Sequence, residues 1–383
     1  MEATRRHHDV IPQLTLRFHA EQDPALMRKA FDVLAEGCTY PMLYNDDVVI
    51  PGVADALRVS EDDAARYHPL GCGEYMIAGA SPSLLNVGWS IPKSLQAAMC
   101  GGRDENGDLM GRTDFDGDPS AGFDELMRAL DYQFEHAAAM AARVHAYNNR
   151  VLQNECPFLF ASLLTDDCVE RARGMLDGGV RYTGACIMGH GFTNAADALT
   201  AMRRLVYERQ AVSFEDLCRA LGADFKGYED LQQRLLKAPK FGNDDAEADQ
   251  MLVGLWQRIS AISTAAGSRH GLDFFTVSSV NPGGYSMGAN CGATADGRHA
   301  GEPFAIGNAP TAGRDTCGIT ALMNSVAKVD PANGGATTNI KLGKSLFGAN
   351  RAQLDALFEA YWKQGGMQAM LTVVSQADLE DAM

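Results

Sequence analysis

An α/β fold built from parallel strand–helix units is what this sequence predicts, on three observations. The 383 residues are 46% hydrophobic and 21% charged, the balance of a globular chain with a large buried core. Short apolar runs alternate with longer stretches of helical periodicity, the pattern of β/α units on a parallel sheet. No internal repeat and no run of 18 apolar residues occurs, which leaves out solenoids and membrane spans. Lys+Arg of 33 against Asp+Glu of 49 gives a net charge of −16. With no basic run, nucleic acid and anionic membrane are poor partners. The start, MEATRRHHDV, lacks the apolar core of a signal peptide. Nine cysteines, an odd number with no C-x-x-C spacing, argue against a disulfide framework or a zinc site. A reducing cytoplasm is the expected compartment, with most thiols acting as small buried apolar groups.

The elements follow in order. Gln13–His19 alternates, with Leu14, Leu16 and Phe18 on one face, and reads as a strand. Asp23-Pro24 supplies an N-cap and a first-turn proline for a helix that stops at Gly37. Residues 45–70 read as loops with a short helix. Residues 71–120, rich in Gly, Asp and Ser, read as loops with a helix near Pro92–Met99. A long helix follows over 121–155, starting near Phe123. It sets His136 and His145 on opposite sides, so they cannot share a ligand. Phe158–Leu164 reads as a strand and Asp166–Asp177 as a helix. Asn194 caps one helix and Ser213 another, with Asp216 three residues on, and helices at 228–237 and 245–264 come next. From 275 to 320 Gly, Asn and Pro dominate; so long an irregular stretch in a compact domain is usually functional. A helix through Leu354, Phe358 and Tyr361 ends at Gly365-Gly366. A strand over Met370–Val374 follows, and Ser375 opens a helix only a turn and a half long. That end reads either as a short frayed helix or as a chain cut before its natural end.

Three loops could carry chemistry. In Gly71-Cys72-Gly73-Glu74-Tyr75 two glycines allow a tight turn with the thiol at its tip, and a carboxyl two residues on reaches the same small molecule. A thiol beside an acid or base suits proton or hydrogen-atom transfer; the plain alternative is a structural cysteine. Gly292-Ala293-Thr294-Ala295-Asp296-Gly297-Arg298 could cradle a phosphate, but lacks the Gly-Lys-Ser/Thr ending and a following helix start. Its Asp296 and Arg298 are spaced to anchor a packed segment over 281–318; a mobile loop is the alternative. Gly189-His190-Gly191 could present an acid/base, or only a turn histidine.

Several pieces together resemble one family. Gly71-Cys72-x-Glu74, Asn194-Ala195-Ala196-Asp197, the run Ala238-Pro239-Lys240-Phe241-Gly242-Asn243-Asp244-Asp245 and the run Gly292–Pro303 are similar to the glycyl radical enzymes, the pyruvate formate-lyase-like superfamily. So are Ser325-Val326-Ala327-Lys328, Gly365-Gly366-x-Gln368 and the stretch Pro41–Pro51 ahead of the cysteine loop. Order agrees from about Gln13 to about Leu379.

The resemblance implies a role for Cys72 as the thiyl radical that abstracts hydrogen from substrate. It implies that Glu74 is the acid/base of the dehydratase, decarboxylase and amine-lyase branches. The formate-lyase branch has two adjacent cysteines; glycines at 71 and 73 disfavour its acyl transfer. The implied fold is half of a ten-stranded β/α barrel, in which two five-stranded parallel half-sheets run antiparallel around a central cysteine loop. No Arg-Val-x-Gly-Tyr motif, where the family stores its radical, occurs in the sequence, and Gly73 stands where most relatives have Val. Residues 1–383 are therefore expected to be one partial domain, the second half-barrel, with the N-terminal half and the C-terminal glycyl radical domain absent.

The implied activity is that of a glycyl radical lyase or dehydratase, formate C-acetyltransferase-like in class, acting on a small polar metabolite. The chain is expected to be incomplete and inactive alone. It would bind no metal or cofactor of its own. A glycyl radical, installed by a radical-SAM activating enzyme, would belong to the complete enzyme in an anaerobe's cytoplasm. Expected partners are the small-molecule substrate, that activating enzyme and a chain supplying the missing half or the radical glycine. Two alternatives stay open: a non-catalytic relic or binding subunit of the same fold, and a thiol hydrolase pairing Cys72 with His190.

Overall fold

The computed structural model describes residues 1–7, 13–70, 73–82, 86–104, 107–329, 335–375, 377 and 380–381. Among the described residues nine strands are formed: β1 (Thr15–Phe18), β2 (Met42–Asn45), β3 (Tyr67–Leu70), β4 (Glu74–Ile77), β5 (Asn86–Ser90), β6 (Gly184–His190), β7 (Asp273–Ser278), β8 (Asn339–Gly343) and β9 (Gln368–Val374). β5, β6 and β7 pair in parallel. A parallel bridge from Ser278 to Ala336 leads from β7 to the segment entering β8, and β8 pairs in parallel with β9. Five strands therefore run one way. At β9 the direction reverses: β9 pairs antiparallel with β2, which pairs in parallel with β1. The α/β class and the five-stranded parallel half-sheet expected of a half-barrel are present, together with two strands running against it. Among the described residues the strands do not close into a barrel.

β6 and β7 are buried on both faces, as parallel strands are, whereas β8 leaves Lys341 and Gly343 exposed. Alternation along each strand sends residues to opposite sides. Ala185, Ile187 and Phe274 join the larger core beneath the helices. Cys186, Met188, Phe275 and Val277 join a second core with Tyr44, Tyr67 and Tyr75. On the helix side lies Phe123–Glu155, whose buried Leu126, Leu130, Phe134, Ala138, Ala142 and His145 repeat at three and four residues. Phe134 meets Trp89 edge-on at 5.3 Å and His145 meets Phe274 at 5.0 Å, so this histidine packs rather than ligates. Helix Ala246–Ser268 lies beside it, capped by Asp245, which accepts from the backbone of Glu247 and Ala248.

Several expectations need correcting. Residues 45–70 are more ordered than loops. Asn45 accepts from the Asp47 amide and caps helix Asp46–Leu57, which buries Val49, Val53 and Leu57 and tolerates Pro51. Phe158–Leu164 holds the short helix Leu159–Leu163, not a strand; a short apolar run does not reveal its own period. Asp166–Asp177 is a series of turns, because Asp167 and Ala172 take positive φ (68° and 51°), which no helix accommodates. Asn194 is no cap: Gly191, at φ 78°, precedes helix Phe192–Met202, and Asn194 lies buried inside it. The final helix after Ser375 falls largely outside the described residues. Segment 281–318 is packed only in part: it holds helix Gly283–Ala289, and Cys291–Arg298 is buried except for a half-buried Gly292, whereas most of 311–318 is exposed.

Candidate active site

The cysteine loop joins an antiparallel hairpin. Tyr67, His68, Pro69 and Leu70 of β3 register with Ile77, Met76, Tyr75 and Glu74 of β4, leaving residues 71–73 as the connection. Cys72 itself lies outside the described residues; Gly73 and Glu74 are described. Glu74 is buried, 4% exposed, on the first residue of β4. The hairpin's base is tied down by charge. Arg17 on β1 forms a two-pronged pair with Asp46, with N···O distances of 2.9 and 2.8 Å, donates to the Tyr67 carbonyl and lies 4.0 Å over the Tyr67 ring. The Tyr67 hydroxyl donates to Asp46 at 2.7 Å; burial, then this carboxylate, push its pKa far up, so it stays a donor. Tyr75 packs edge-on against Tyr67 and donates to the Met367 sulfur at 3.0 Å.

The tip is seated by backbone. Gly73 takes φ +106°, where a branched side chain would be strained, which accounts for Gly in place of the Val expected from relatives. A Cβ on Gly73 would meet Thr337 Oγ1 at 3.1 Å, and a Cβ on Gly335 would collide with the Gly73 carbonyl. Gly335 in turn accepts from the Ser278 amide at 2.9 Å. The hairpin thus rests where β7 ends and the chain enters β8. Around it sit Thr337 at the entry to β8, Asn308 and, at the carboxyl ends of β6 and β7, His190, Ser278 and Ser279, all buried. Open α/β sheets bind ligands at this end of their strands. Burial holds His190 below its ordinary pKa, and Gly283 leaves no room for a Cβ beside its Nε2. Glu74 and His190 were legible as candidates. Ser278, Ser279 and Thr337 were not, since bridging between distant segments leaves no local signal.

The remaining motifs form scaffold. The Asn194 amide donates to Asp296 at 2.8 Å and its carbonyl oxygen accepts from the Ala305 amide. Asp197 accepts from the Phe241 amide at 2.9 Å, and burial pushes its carboxyl up to about 8 despite nearby Lys240. The Asp244 carboxylate accepts from the Lys328 ammonium at 2.6 Å, and its backbone amide donates to the Ser325 hydroxyl. Asn45 donates to the Gly366 carbonyl, and Gln368 accepts from the Thr338 amide. The 292–298 loop is no phosphate cradle: its Gly292, Ala293 and Gly297 carbonyls accept from Arg298, Gln96 and Gln232, and Arg298 is spent within the protein. That guanidinium donates to the carbonyls of Cys291, Gly292, His299 and Glu302 and to Thr294 Oγ1. Among the described residues no cluster of His, Cys, Asp or Glu could hold a metal, and no helix is long and apolar enough to cross a membrane.

Comparison with known proteins meets this geometry. Residues 1–284 match the family model described as pyruvate formate lyase-like, and residues 304–383 match the one described as glycine radical. The second match corrects the expectation that the C-terminal glycyl radical domain is absent. Its scaffold of β8, β9 and the helix between them is here, although the Arg-Val-x-Gly-Tyr sequence is not found in the 383 residues. The Probable dehydratase YbiW of Escherichia coli is 29% identical across all of this chain and 49% of its own length. Trans-4-hydroxy-L-proline dehydratase of Clostridioides difficile is 26% identical over 97% of this chain and 48% of its own. The B12-independent glycerol dehydratase of Clostridium butyricum, in its glycerol-bound structure, superposes with a TM-score of 0.93 at 26% identity, covering 100% of this chain and 49% of that one. The chain thus spans about half the length of the relatives it matches.

Proposed function

Because the chain belongs to the pyruvate formate lyase-like family, we propose that it supplies the cysteine hairpin of a glycyl radical lyase or dehydratase acting on a small polar metabolite. The observation that carries this is the hairpin seated on Gly335, where β7 ends and the chain enters β8, with Glu74 two residues beyond Cys72. When present, the glycine radical supplies the unpaired electron. The Cys72 sulfur, carrying that electron, takes a hydrogen atom from a substrate carbon: an S–H bond forms and a C–H bond breaks. Glu74 moves a proton on the same side of the hairpin, donating to a leaving hydroxyl or accepting from a neighbouring one. Burial of Glu74, His190, Ser278 and Thr337 keeps water from the site, as radical chemistry needs.

The half of the fold that relatives carry in addition would complete the substrate pocket, supplied by a further polypeptide segment. A radical-SAM activating enzyme would install the radical, and the setting would be an anaerobe's cytoplasm. The glycines flanking Cys72 leave no adjacent thiol for acyl transfer. Testing requires anaerobic assembly of this chain with a complementing half, a segment carrying the radical glycine and an activating enzyme, assayed on small diols and hydroxy acids. Cys72→Ser and Glu74→Gln should each abolish turnover. Turnover by the Cys72→Ser protein at the unsubstituted rate would remove the proposal.

A further inference from the structure

Two of the nine cysteines face one cavity. It measures about 190 Å³ and plays no part in the proposed chemistry. Two helix faces form its walls. Gln96, Met99 and Cys100, at spacings of three and four, line it from the end of helix Ile91–Met99. Cys218, Leu221 and Gly222, at the same spacings, line it from helix Phe214–Gly222. Met99 belongs to the larger core beneath the helices and Leu221 packs against it, whereas Tyr67 and Tyr75 of the hairpin belong to the second core. A Cβ on Gly222 would meet nothing within 4 Å, so the wall one turn beyond Cys218 leaves room for side chains to move.

The two thiols are unequal. Cys100 ends its helix, with its amide donating to the Gln96 carbonyl at 2.9 Å, and is exposed; Cys218 is half-buried. Burial, and then the neighbouring Cys100, push the Cys218 thiol up to about 12, so it stays protonated and is the poorer first nucleophile. The influence of Cys100 on it also puts the two sulfurs near each other. A third thiol, Cys291, stands behind a partition. It is buried and donates to Gln96 Oε1 at 3.4 Å, while Gln96 Nε2 donates to the Ala293 carbonyl at 3.3 Å.

We propose that Cys100 and Cys218 are a reversible dithiol–disulfide pair that responds to peroxide. The exposed Cys100 sulfur attacks first: an S–O bond forms, the peroxide O–O bond breaks, and hydroxide leaves with the thiol proton as water. The Cys218 sulfur then attacks the resulting sulfenic acid. An S–S bond forms, the S–O bond breaks, and hydroxide leaves with the Cys218 proton as a second water. Sulfur is oxidised and peroxide oxygen reduced; a dithiol reductant reverses the change. Such a pair suits a reducing compartment, where disulfides are transient and redox-sensing. The bond would pin the helix that leaves β5, whose Pro92 already packs against Gly191 beside His190.

Peptide mapping of the reduced chain after brief hydrogen peroxide treatment, with remaining thiols alkylated, tests this. The Cys100–Cys218 linked peptide should form at least about tenfold faster than any pair containing the exposed Cys156 or Cys317, and should vanish with dithiothreitol. Concentrated urea should abolish that preference, because the fold creates it. In Cys218→Ala the Cys100 sulfenic acid should persist and be trapped by dimedone; in Cys100→Ser, Cys218 should stay reduced, with circular dichroism unchanged in both. The inference is overturned if Cys100 pairs with Cys218 no faster than with the other exposed thiols. An equal preference in urea, or a Cys218 that oxidises at the same rate in folded Cys100→Ser, overturns it too.

Discussion

At the scale of single residues, Arg298 carries the clearest energetic consequence. All five of its guanidinium N–H groups have acceptors inside one loop, and its plane lies 4.8 Å from the Phe304 ring. Arg298→Ala leaves four buried or half-buried carbonyl contacts and the buried Thr294 hydroxyl without this partner, so stability should fall by about 1–3 kcal/mol. Arg298→Lys should recover little, because an ammonium cannot present the planar fork. Urea midpoints of the three proteins check this; equal midpoints would mean a loose segment. Asp197 gives a pH signature. The folded protein keeps on this carboxyl a proton that the unfolded chain releases above about pH 4, so its contribution to stability is full below that pH. It is lost as pH rises toward about 8, where the buried group must ionise. Asp197→Asn, which cannot ionise, should flatten the decline in urea midpoint between pH 5 and pH 8. A decline of the same slope in both proteins would place its origin elsewhere.

Among the elements, the hairpin is held at both ends: by Arg17, Asp46 and Tyr67 at its base and by Gly335 at its tip. Gly335→Ala puts a methyl group into the Gly73 carbonyl, backbone against backbone, and the tip must move. The rate of Cys72 alkylation, read peptide by peptide in the mass spectrometer, should change several-fold while circular dichroism stays constant. An unchanged rate with an unchanged melting midpoint would show that the tip does not rest on Gly335. The hairpin also shows why some elements were legible and others not. Helix Phe123–Glu155 repeats its apolar period over 33 residues and was readable to within two positions. Strands of four residues, one containing Pro69, are too short to display alternation, so β3 and β4 passed for loop. The candidate Cys72–Glu74 pair was readable because it is local, whereas Ser278 and Thr337 reach the site only through the pairing of segments some 60 residues apart.

For the whole molecule, the seven-strand array is one parallel half-sheet with two strands running against it, and the matched relatives are about twice as long. The motifs that carry the family resemblance divide into two groups. One pair, Cys72 and Glu74, belongs to the proposed chemistry. The others tie helices, loops and strands into the frame that holds the hairpin, which is why their order runs through nearly the whole chain. Cys72 is the atom-abstracting group on which the proposed chemistry turns. The most direct measurement is turnover by the anaerobically assembled enzyme, using a substrate deuterated at the reacting carbon, with Cys72 intact or replaced by Ser. The intact protein should form product with a primary isotope effect, and the Cys72→Ser protein should form none while a glycine-centred radical persists in its paramagnetic resonance spectrum. Equal product formation by the two proteins would contradict the account.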